Sequence, residues 1–384
     1  MINIQNEKDC CGCHACYNIC PKNAITMMKD KNGFKYPKTD NDKCINCGLC
    51  EKTCPMLKKN KINNKPKAFA CINKKDEIRI ESSSGGIFSL IAENILNQNG
   101  IVFGAMFDER FNVIHSYIEK TEDLYKLRGS KYVQSIIGDN YKKAKDFLEN
   151  GNKVLFTGTP CQIEGLKLYL QKSYENLYTQ DIICHGVPSP KVWETYNNII
   201  KHKFNSKIKR MSFRNKENGW KKYSLKYEFY NDNSFSILNS ESVYMKAFLK
   251  DLCLRSSCYN CNFKNIERNS DITLADFWGI QNILPEFDDD KGTSLVIINS
   301  EKGKEIFEEI KENIKYIETD INKAIKYNQS MLKSAKLPKN RKVFFENLED
   351  MNFDELVKKY LPKTNIFKLV TIKTKKIIKK ILKR

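Results

Sequence analysis

The chain has 384 residues, of which 41% are hydrophobic and 29% are charged, so it can form two or three domains with buried cores. The first nine residues are polar and no run of about 18 apolar residues occurs, which predicts neither a signal peptide nor a transmembrane helix. We therefore expect a cytoplasmic protein. Fifteen cysteines in such a reducing compartment favour metal or redox chemistry over disulfides.

The formal net charge of +20 is unevenly distributed along the chain. From Leu356 to the C-terminus there are eleven Lys or Arg and no Asp or Glu, so the rest of the chain carries only +9. Lysine outnumbers arginine 57 to 9, which is a compositional bias rather than a localised basic patch. We expect no nucleic-acid partner.

Two copies of one cysteine pattern make up the N-terminal segment. Each copy has the spacing C-x2-C-x2-C-x3-C followed by proline, which is the bacterial ferredoxin pattern for two 4Fe-4S clusters. The first copy is Cys10, Cys13, Cys16 and Cys20, and the second is Cys44, Cys47, Cys50 and Cys54. In this pattern the fourth cysteine of each run binds the other cluster. Cluster one would therefore take Cys54, and cluster two would take Cys20.

Zinc is the alternative occupant of paired C-x2-C motifs, but it does not explain the repeated third and fourth cysteines with their prolines. Two residues of the first run have no ligand position. Cys11 is left without an expected role. His14 is expected to be an exposed loop histidine rather than a residue that tunes a cluster potential.

From Ala68 onward, short apolar runs alternate with amphipathic stretches, which predicts a mixed α/β body. Strands are predicted at residues 68–72, 101–107, 153–156, 178–184, 221–230, 271–276 and 293–299. Helices are predicted at residues 86–97, 161–170, 189–204, 300–313 and 323–335. Cys71 lies in the first of these strands and is expected to be a core residue.

The other five cysteines of the body suggest a third metal centre. Cys258 and Cys261 form a C-x2-C motif, and Cys253 precedes it. Cys161 stands at a predicted strand-to-helix turn, where a helix N-terminus favours a thiolate, and Cys184 closes a predicted strand. Their spacing leaves zinc, 2Fe-2S and 4Fe-4S open.

Two further segments carry groups suited to an anion. Residues 82–86 (S-S-S-G-G) open a predicted helix, where successive backbone N–H groups would form a nest for a dinucleotide's pyrophosphate. Residues 128–132 (R-G-S-K-Y) place two cations around a glycine turn. The alternative is serine capping and a flexible loop. No G-x-G-x-x-G follows a strand, which disfavours an ordinary Rossmann nicotinamide site.

Taken in order, these motifs resemble the beta subunit of coenzyme F420-reducing hydrogenase and of F420-linked formate dehydrogenase. The likeness is carried by residues 83–86, 128–132, 157–162, 184–189, 258–261, 271–279 and 291–294. It covers roughly residues 65–300, and a ferredoxin module stands in front, as it does in many members of the family.

The resemblance implies an iron–sulfur flavoprotein, with FAD and a cluster held in the body. Carried onto this sequence, that cluster would use Cys161, Cys184, Cys258 and Cys261, with Cys253 as an additional candidate. The flavin would lie at Ser84, Gly85, Gly86, Gly129, Ser130 and Lys131. The substrate would be the deazaflavin coenzyme F420 or a different one, since relatives include chlorophyll-type and plastid reductases and proteins encoded beside surface-polysaccharide genes.

The predicted fold class is α+β. A bacterial-type dicluster ferredoxin domain (1–60) would precede a mixed α/β flavin-binding body, made of an N-terminal region (66–150) and a C-terminal region with flavin and the third cluster (151–315). A helical extension with a basic tail (316–384) would follow.

The expected function is that of an oxidoreductase passing electrons between an external carrier or redox partner protein, the clusters, FAD and a two-electron substrate. The alternative is an electron-transfer subunit of a larger complex, without a substrate of its own. His185, beside Cys184, is the candidate catalytic residue, because histidine can supply a proton near neutral pH. Otherwise it would only hydrogen-bond a sulfur or a phosphate.

The C-terminal tail alternates apolar residues with lysines. On a helix, Ile366 and Val370 are an i,i+4 pair, as are Ile377 and Ile381, while the lysines occupy the remaining face. A basic amphipathic helix of this kind would lie at the inner face of a membrane and bring the enzyme to a lipid-linked substrate. The alternative is a solvated C-terminus in a lysine-rich chain.

Overall fold

The computed structural model describes residues 1–58 and 62–361. The tail from residue 363 onward lies outside the described residues, so its amphipathic helix and membrane contact stay predictions. None of the helices within the described ranges is long and apolar enough to span a bilayer.

The described residues form thirteen strands and thirteen α-helices. The strands are β1 (Ile25–Lys29), β2 (Lys35–Thr39), β3 (Lys67–Asn73), β4 (Ile101–Phe107), β5 (Val113–Ile118), β6 (Val154–Gly158), β7 (Leu177–Ile182), β8 (Ile208–Asn215), β9 (Ser224–Phe229), β10 (Ser234–Leu238), β11 (Ile272–Asp276), β12 (Ser294–Ile298) and β13 (Ile314–Thr319). The helices are α1 (Ala15–Ile19), α2 (Leu49–Lys52), α3 (Asp76–Glu81), α4 (Ile87–Asn97), α5 (Leu124–Leu127), α6 (Asn140–Glu149), α7 (Pro160–Leu170), α8 (Pro190–Phe204), α9 (Val243–Leu249), α10 (Glu301–Ile310), α11 (Ile321–Ile325), α12 (Arg341–Glu346) and α13 (Phe353–Tyr360).

The N-terminal region repeats one local structure, as its sequence repeat predicts. Each cysteine run leads into a short helix that contains its third cysteine, α1 in the first run and α2 in the second. Each helix follows a residue in the left-handed region, which is Gly48 (φ 73°) in the second run and His14 (φ 63°) in the first. Glycine adopts this conformation freely, whereas a side chain there costs about 1–2 kcal/mol. Strands β1 and β2 form an antiparallel hairpin between the two runs.

An eight-stranded sheet organises the body, in the order β13-β3-β12-β11-β7-β6-β4-β5. Its centre is parallel, because β4, β6, β7 and β11 pair in that sense, and the outer strands are antiparallel. Apolar residues of α4 and α10 pack on one face of the sheet. Those of α6 and α7 pack on the other. The parallel centre is buried on both faces, and this explains its nearly continuous apolar strands.

A second, antiparallel sheet of order β10-β9-β8 lies beside the first. Helices α8, α9 and α13 cover it around the fully buried Trp193 and Tyr244. Helix α8 begins where predicted, because the Ser189 hydroxyl accepts hydrogen bonds from the backbone N–H groups of Lys191 and Val192.

The structure confirms the predicted fold class, with a ferredoxin-like region followed by a larger mixed α/β body. The strand at residues 178–184 ends at Ile182, so Cys184 lies just beyond the strand. The helix predicted at 323–335 is wrong, since α11 ends at Ile325 and only a 3-10 turn follows, at Gln329–Met331. There the Asn328 side chain donates to the Asp276 carbonyl (3.0 Å), and such long-range contacts override helical periodicity.

The ferredoxin-like region is fastened to the body by hydrogen bonds to its backbone carbonyls. Asn18 Nδ2 donates across the boundary to the Gly138 carbonyl at 2.8 Å. In the other direction, the Gln134 amide donates to the Cys11 carbonyl (3.2 Å), and the Ser189 hydroxyl donates to the Asn32 carbonyl. Buried hydrogen bonds of this kind fix the orientation of the cysteine loops relative to the body.

Candidate functional site

The cysteines predicted for cluster one come from both runs and lie together. Burial, followed by the proximity of Cys10 and Cys54, raises the pKa of the Cys16 thiol above its ordinary range. Cys13 lies near Cys16 and Cys54 as well. Cys54 thus crosses from the second run to the first, as the predicted arrangement requires. Thiols whose charges would repel each other are stabilised as thiolates by the positive charge of bound iron.

The cysteines predicted for cluster two line a single cavity beside the β1–β2 hairpin. They are Cys20, Cys44, Cys47 and Cys50. The Ala24 N–H donates to Cys20 Sγ and the Ile2 N–H donates to Cys50 Sγ, both at 3.2 Å. Backbone N–H groups aimed at sulfur favour the thiolate and help to set the potential of a cluster bound there.

A further cavity, here called the body cavity, lies at the carboxyl ends of the neighbouring parallel strands β6 and β7. It is lined by all four cysteines predicted for the body cluster, Cys161, Cys184, Cys258 and Cys261. Among residues 1–58 and 62–361, no three His, Cys, Asp or Glu side chains are grouped to hold a single metal ion. A 4Fe-4S cluster takes its four thiolates on separate irons, so its ligands surround a volume rather than a point.

Local structure explains how Cys161 reaches the body cavity. Helix α7 begins at Pro160, because Thr159 and Gln162 form a capping box that satisfies the first backbone N–H groups. Cys161 therefore sits in the first turn of the helix, and its Sγ is 3.1 Å from the Thr159 hydroxyl. The positive end of the helix dipole favours a thiolate at this position.

Two cations lie beside the body cavity. Lys264 Nζ donates to the carbonyl oxygens of Cys184 and Ser330, the second at 2.7 Å. Arg268, almost fully buried, pairs with Asp181 at 3.4 Å. Burial raises the pKa of Cys184 to about 12, while Lys264 and Arg268 act in the opposite direction. These cations would offset part of the negative charge of a thiolate-bound cluster.

The remaining cysteines of the body lie in the apolar core. Cys253 is fully buried against Trp193, Tyr244 and their neighbours, and it is not among the described residues that line the body cavity. The structure therefore does not bring this additional candidate to the other four. Cys71 is also fully buried, in β3, and the prediction that it is a core residue is confirmed.

Cys11 and His14, which have no ligand position in the cysteine repeat, are both buried. The Cys11 thiol lies within hydrogen-bonding contact of Cys13 on one side and Cys161 on the other, and it lines the body cavity. The expectation that His14 is exposed is wrong, because only 4% of it is accessible and burial lowers its pKa to about 3.

Sequence reasoning missed Arg255, a fully buried cation between the ferredoxin-like region and the body. Its guanidinium group donates to the Cys10 carbonyl (2.8 Å), to Cys10 Sγ (3.4 Å) and to the Lys35 carbonyl (3.0 Å). It also lies 4.1 Å from the centre of the Tyr36 ring. No spacing rule marks this residue. Its position between Cys253 and Cys258 was the only signal in the sequence.

His185 lines the body cavity, and its ring is held on two sides. Nε2 lies 2.6 Å from Asp251 Oδ1, and Nδ1 lies 3.3 Å from the Ser330 hydroxyl. The ring also meets the Phe248 ring edge to face at 5.3 Å. A carboxylate partner of this kind orients an imidazole and selects which ring nitrogen carries the proton, so both predicted roles of His185 stay open.

The two segments predicted to contact flavin meet in space. The Ser83 hydroxyl accepts hydrogen bonds from the Ser130 N–H (2.7 Å) and from the Ser130 hydroxyl (2.9 Å). Gly129 has a φ of 84°, and a side chain there would point into open space. Gly86 precedes helix α4 with a φ of 82°. These positions leave room for a ligand in front of Gly129.

Other predicted flavin residues use their polar groups inside the protein. Lys131 Nζ donates to three carbonyl oxygens at the end of α5, and burial lowers its pKa to about 7. The Ser84 hydroxyl donates to the Thr293 carbonyl (2.9 Å), and the Gly85 N–H donates to Ser294 Oγ (2.9 Å). These three residues position the loop, and any contact they make with a flavin stays a prediction.

Comparison with known proteins accounts for most of this arrangement. Residues 151–324 match the family model for the C terminus of the coenzyme F420 hydrogenase/dehydrogenase beta subunit, and residues 9–57 match the 4Fe-4S dicluster domain. The chain belongs to the family of coenzyme F420 hydrogenase/dehydrogenase beta subunits. It is therefore an iron–sulfur protein of an oxidoreductase family with an electron-transfer role.

Curated relatives of this chain are longer than it is. The coenzyme F420-dependent sulfite reductase of Methanocaldococcus jannaschii is 27% identical over 369 residues, which are 92% of this chain and 53% of that protein. The F chain of the F420H2 dehydrogenase of Methanosarcina mazei is 26% identical over 180 residues, which are 44% of this chain and 50% of that protein. The chain thus spans about half the length of these two relatives.

Two further similarities concern parts of the chain. A ferredoxin of Methanocaldococcus jannaschii is 44% identical over 54 residues, which are 14% of this chain and 68% of that protein. A chain of the F420-reducing NiFe hydrogenase complex from Methanosarcina barkeri aligns with a TM-score of 0.48 at 17% identity. That alignment covers 74% of this chain and 93% of the other, and it is too distant to support an inference.

Proposed function

We propose that this protein is an iron–sulfur flavoprotein oxidoreductase with three 4Fe-4S clusters and FAD. Electrons would enter from an external carrier or redox partner protein and reach a two-electron organic substrate. A flavin exchanges electrons singly with clusters and in pairs with organic molecules, which is the chemistry that it would supply here. The chain's own contribution is to hold these groups at fixed positions.

The observation that carries the proposal is the body cavity. Its cysteines come from three segments distant in sequence, yet all four line one volume, and Cys11 of the ferredoxin-like region lines it too. Lys264 and Arg268 stand beside it as balancing cations. A cluster here would lie next to the ferredoxin-type clusters, as an electron path into the body requires.

Metal analysis of matched variants tests the third cluster. Anaerobically prepared protein should contain about twelve irons and about twelve acid-labile sulfides per chain. Cys184→Ser should lower both to about eight, because one of four thiolate ligands is lost. Cys253→Ser is the matched control: it alters a buried cysteine outside the cavity and should keep about twelve of each. About eight irons in the unmodified protein, or stoichiometric zinc, would refute the third cluster.

The FAD component rests on the meeting of the loops that contain Ser83 and Ser130, and on the free space in front of Gly129. Extraction should release FAD, or iron-depleted protein should take up added FAD with a band near ~450 nm. Gly129→Leu should abolish uptake. Gly151→Leu is a fair control, because Gly151 has nearly the same φ (83°) and equally open space. Equal FAD content in both variants contradicts this placement of the flavin.

The substrate remains at the level of a proposal. The names of both longer relatives refer to coenzyme F420, which makes that deazaflavin the first substrate to test. A surface-polysaccharide precursor is the other expectation. Reoxidation of the reduced protein by each compound, followed at the flavin band, distinguishes them.

A second candidate function is that of a pure electron-transfer subunit. The Methanosarcina mazei relative supports it, because that protein is itself named as a subunit of a dehydrogenase. Transfer of electrons to a partner protein with no turnover of a small molecule would favour this second function.

His185 is the proposed proton donor to the substrate, since Asp251 orients it at the rim of the body cavity. His185→Gln should keep clusters and flavin but lose turnover by about 100-fold or more. Full turnover in this variant leaves His185 only a structural role.

Peripheral membrane contact through the C-terminal tail is the last part of the proposal. Its support is the basic, apolar pattern of the sequence alone. Sedimentation with anionic vesicles should separate the full chain from one truncated after Pro362. Equal sedimentation of the two proteins would make the tail a solvated end.

A further inference from the structure

Cys11 occupies a position that the proposed cluster ligands do not account for. It follows Cys10 directly, but it is outside the repeated spacing, and the second run has Ile45 at the equivalent place. Its thiol is buried and contacts both Cys13 and Cys161. One of these belongs to the ligand set of cluster one, and the other to that of the body cluster.

The backbone closes the same gap. Gly165 of α7 lies so near Cys13 that an added Cβ would stand 3.0 Å from both Cβ and Sγ of that cysteine. Helix α7 also carries Cys161 in its first turn. The ferredoxin-like region therefore meets the body along one helix, with Cys11 filling the space between the two ligand cysteines.

We propose that Cys11 is the bridging residue through which an electron passes between cluster one and the body cluster. This inference rests on the proposed function, because it requires both clusters. In the step, one electron leaves reduced cluster one and reduces the oxidised body cluster. No bond forms or breaks, and the Cys11 proton stays on its sulfur. Cys11 is a positioning residue that shortens the path and donates a hydrogen bond to a ligand sulfur.

The alternative routes are less direct. Arg255 contacts Cys10, but its remaining hydrogen bonds go to Gln134 and to the backbone of Lys35 rather than to Cys161. The cluster-two cavity lies at the β1–β2 hairpin, and the residues that line it all come from the first fifty residues. Cys11 is the described residue whose side chain contacts a proposed ligand of each cluster.

Cys11→Ala and Cys11→Ser in the full-length, anaerobically loaded protein test this role. Cys71→Ala is the matched control, since Cys71 is equally buried but lies in β3, in a core that contains none of the proposed ligands. A one-electron reductant is mixed with the protein, and the paramagnetic signal of each cluster is followed after rapid freezing.

The expected result has two parts. All variants keep the wild-type iron content, and Cys11→Ala reduces its body cluster severalfold more slowly than wild type, with Cys11→Ser between them. Equilibrium titration should show a lower midpoint potential for the cluster that loses the hydrogen bond, because hydrogen bonds to sulfur raise cluster potentials.

Three results would overturn the inference. Equal rates in Cys11→Ala and Cys71→Ala mean that the electron does not use Cys11. Loss of about four irons in both Cys11 variants makes Cys11 a ligand instead. About eight irons in the unmodified protein removes the body cluster, and so refutes the proposed function and this bridge together.

Discussion

The ferredoxin-like region and the body assemble their cysteines in opposite ways. In the first, eight cysteines lie within 45 residues, in a repeated spacing that forces them into tight loops. In the body, four cysteines are spread over about one hundred residues and converge only because β6, β7 and the loop around Cys258 meet. A local motif is visible in the sequence, whereas a site built from distant segments becomes visible only when the fold is known.

The surroundings of the two kinds of centre differ as well. The cluster-two cavity lies near the surface, with Cys47 exposed and backbone N–H groups aimed at sulfur. The body cavity is flanked by side-chain cations, Lys264 and Arg268, and by His185. Because charge, hydrogen bonds and solvent exposure set the potential of a cluster, the two centres are expected to differ in potential.

The largest effect is expected from exchanging the crossing cysteines. Cys54→Ser should remove cluster one although Cys54 belongs to the second run, and Cys20→Ser should remove cluster two although Cys20 belongs to the first. Each variant should lose about four irons and keep the body cluster. Paramagnetic resonance of the reduced protein identifies which signal disappears.

Cys71→Ser is the control for this pair, since it changes a buried cysteine outside all three proposed cluster sites and should keep every signal. If Cys54→Ser and Cys20→Ser abolish the same signal, the ligands do not cross between the runs. The similarity of the two runs in cysteine spacing would then be misleading about how they share their ligands.

The sequence allowed the ferredoxin-like region to be predicted almost completely, because its ligands, prolines and left-handed turn positions recur at fixed intervals. Helix α7 and strand β6 were also predicted, since apolar periodicity and the Pro160 start mark them. The ligand set of the body cluster was assigned only through a family resemblance. Arg255, Lys264 and Cys11 were not recognised, because a bridging role depends on which distant segments touch.

Removing the buried cation between the two regions should have the next largest effect. Arg255→Leu leaves the Cys10 and Lys35 carbonyls and the Gln134 amide oxygen without their donors. Unpaired buried groups of this kind cost about 1–3 kcal/mol each, so the free energy of unfolding should fall by several kcal/mol. Loss of a positive charge beside Cys10 should also lower the potential of cluster one. Chemical denaturation and redox titration measure the two effects.

Arg255→Lys separates charge from geometry in the same experiment. Lysine keeps the positive charge but lacks the planar fork that reaches several acceptors at once. We expect it to restore most of the cluster potential and only part of the stability. If Arg255→Leu changes neither quantity, the contact between the two regions does not depend on this residue.

The smallest predicted effect concerns the dependence of stability on pH, and it arises in the body. His115 in β5 is fully buried, with Nδ1 2.8 Å from Ser135 Oγ and Nε2 2.9 Å from the Thr157 carbonyl. Burial lowers its pKa to about 4, so the folded state keeps it neutral where the unfolded chain, with a pKa near 6.5, takes up a proton. The unfolded state then binds more protons, and stability falls as the pH falls from about 6.5 toward about 4.

Between pH 7.5 and pH 5.5 this linkage amounts to about 1 kcal/mol. His115→Gln should unfold more easily at pH 7.5, because it alters two buried hydrogen bonds, but its stability should depend less on pH by that amount. His202→Gln is the control, since His202 is exposed at the end of α8 and should leave the dependence as it is in wild type. Denaturant unfolding at the two pH values, followed by tryptophan fluorescence, gives the comparison. An unchanged pH dependence in His115→Gln would show that the acid sensitivity of the protein arises elsewhere, and the buried His14 of the ferredoxin-like region would be the next residue to test.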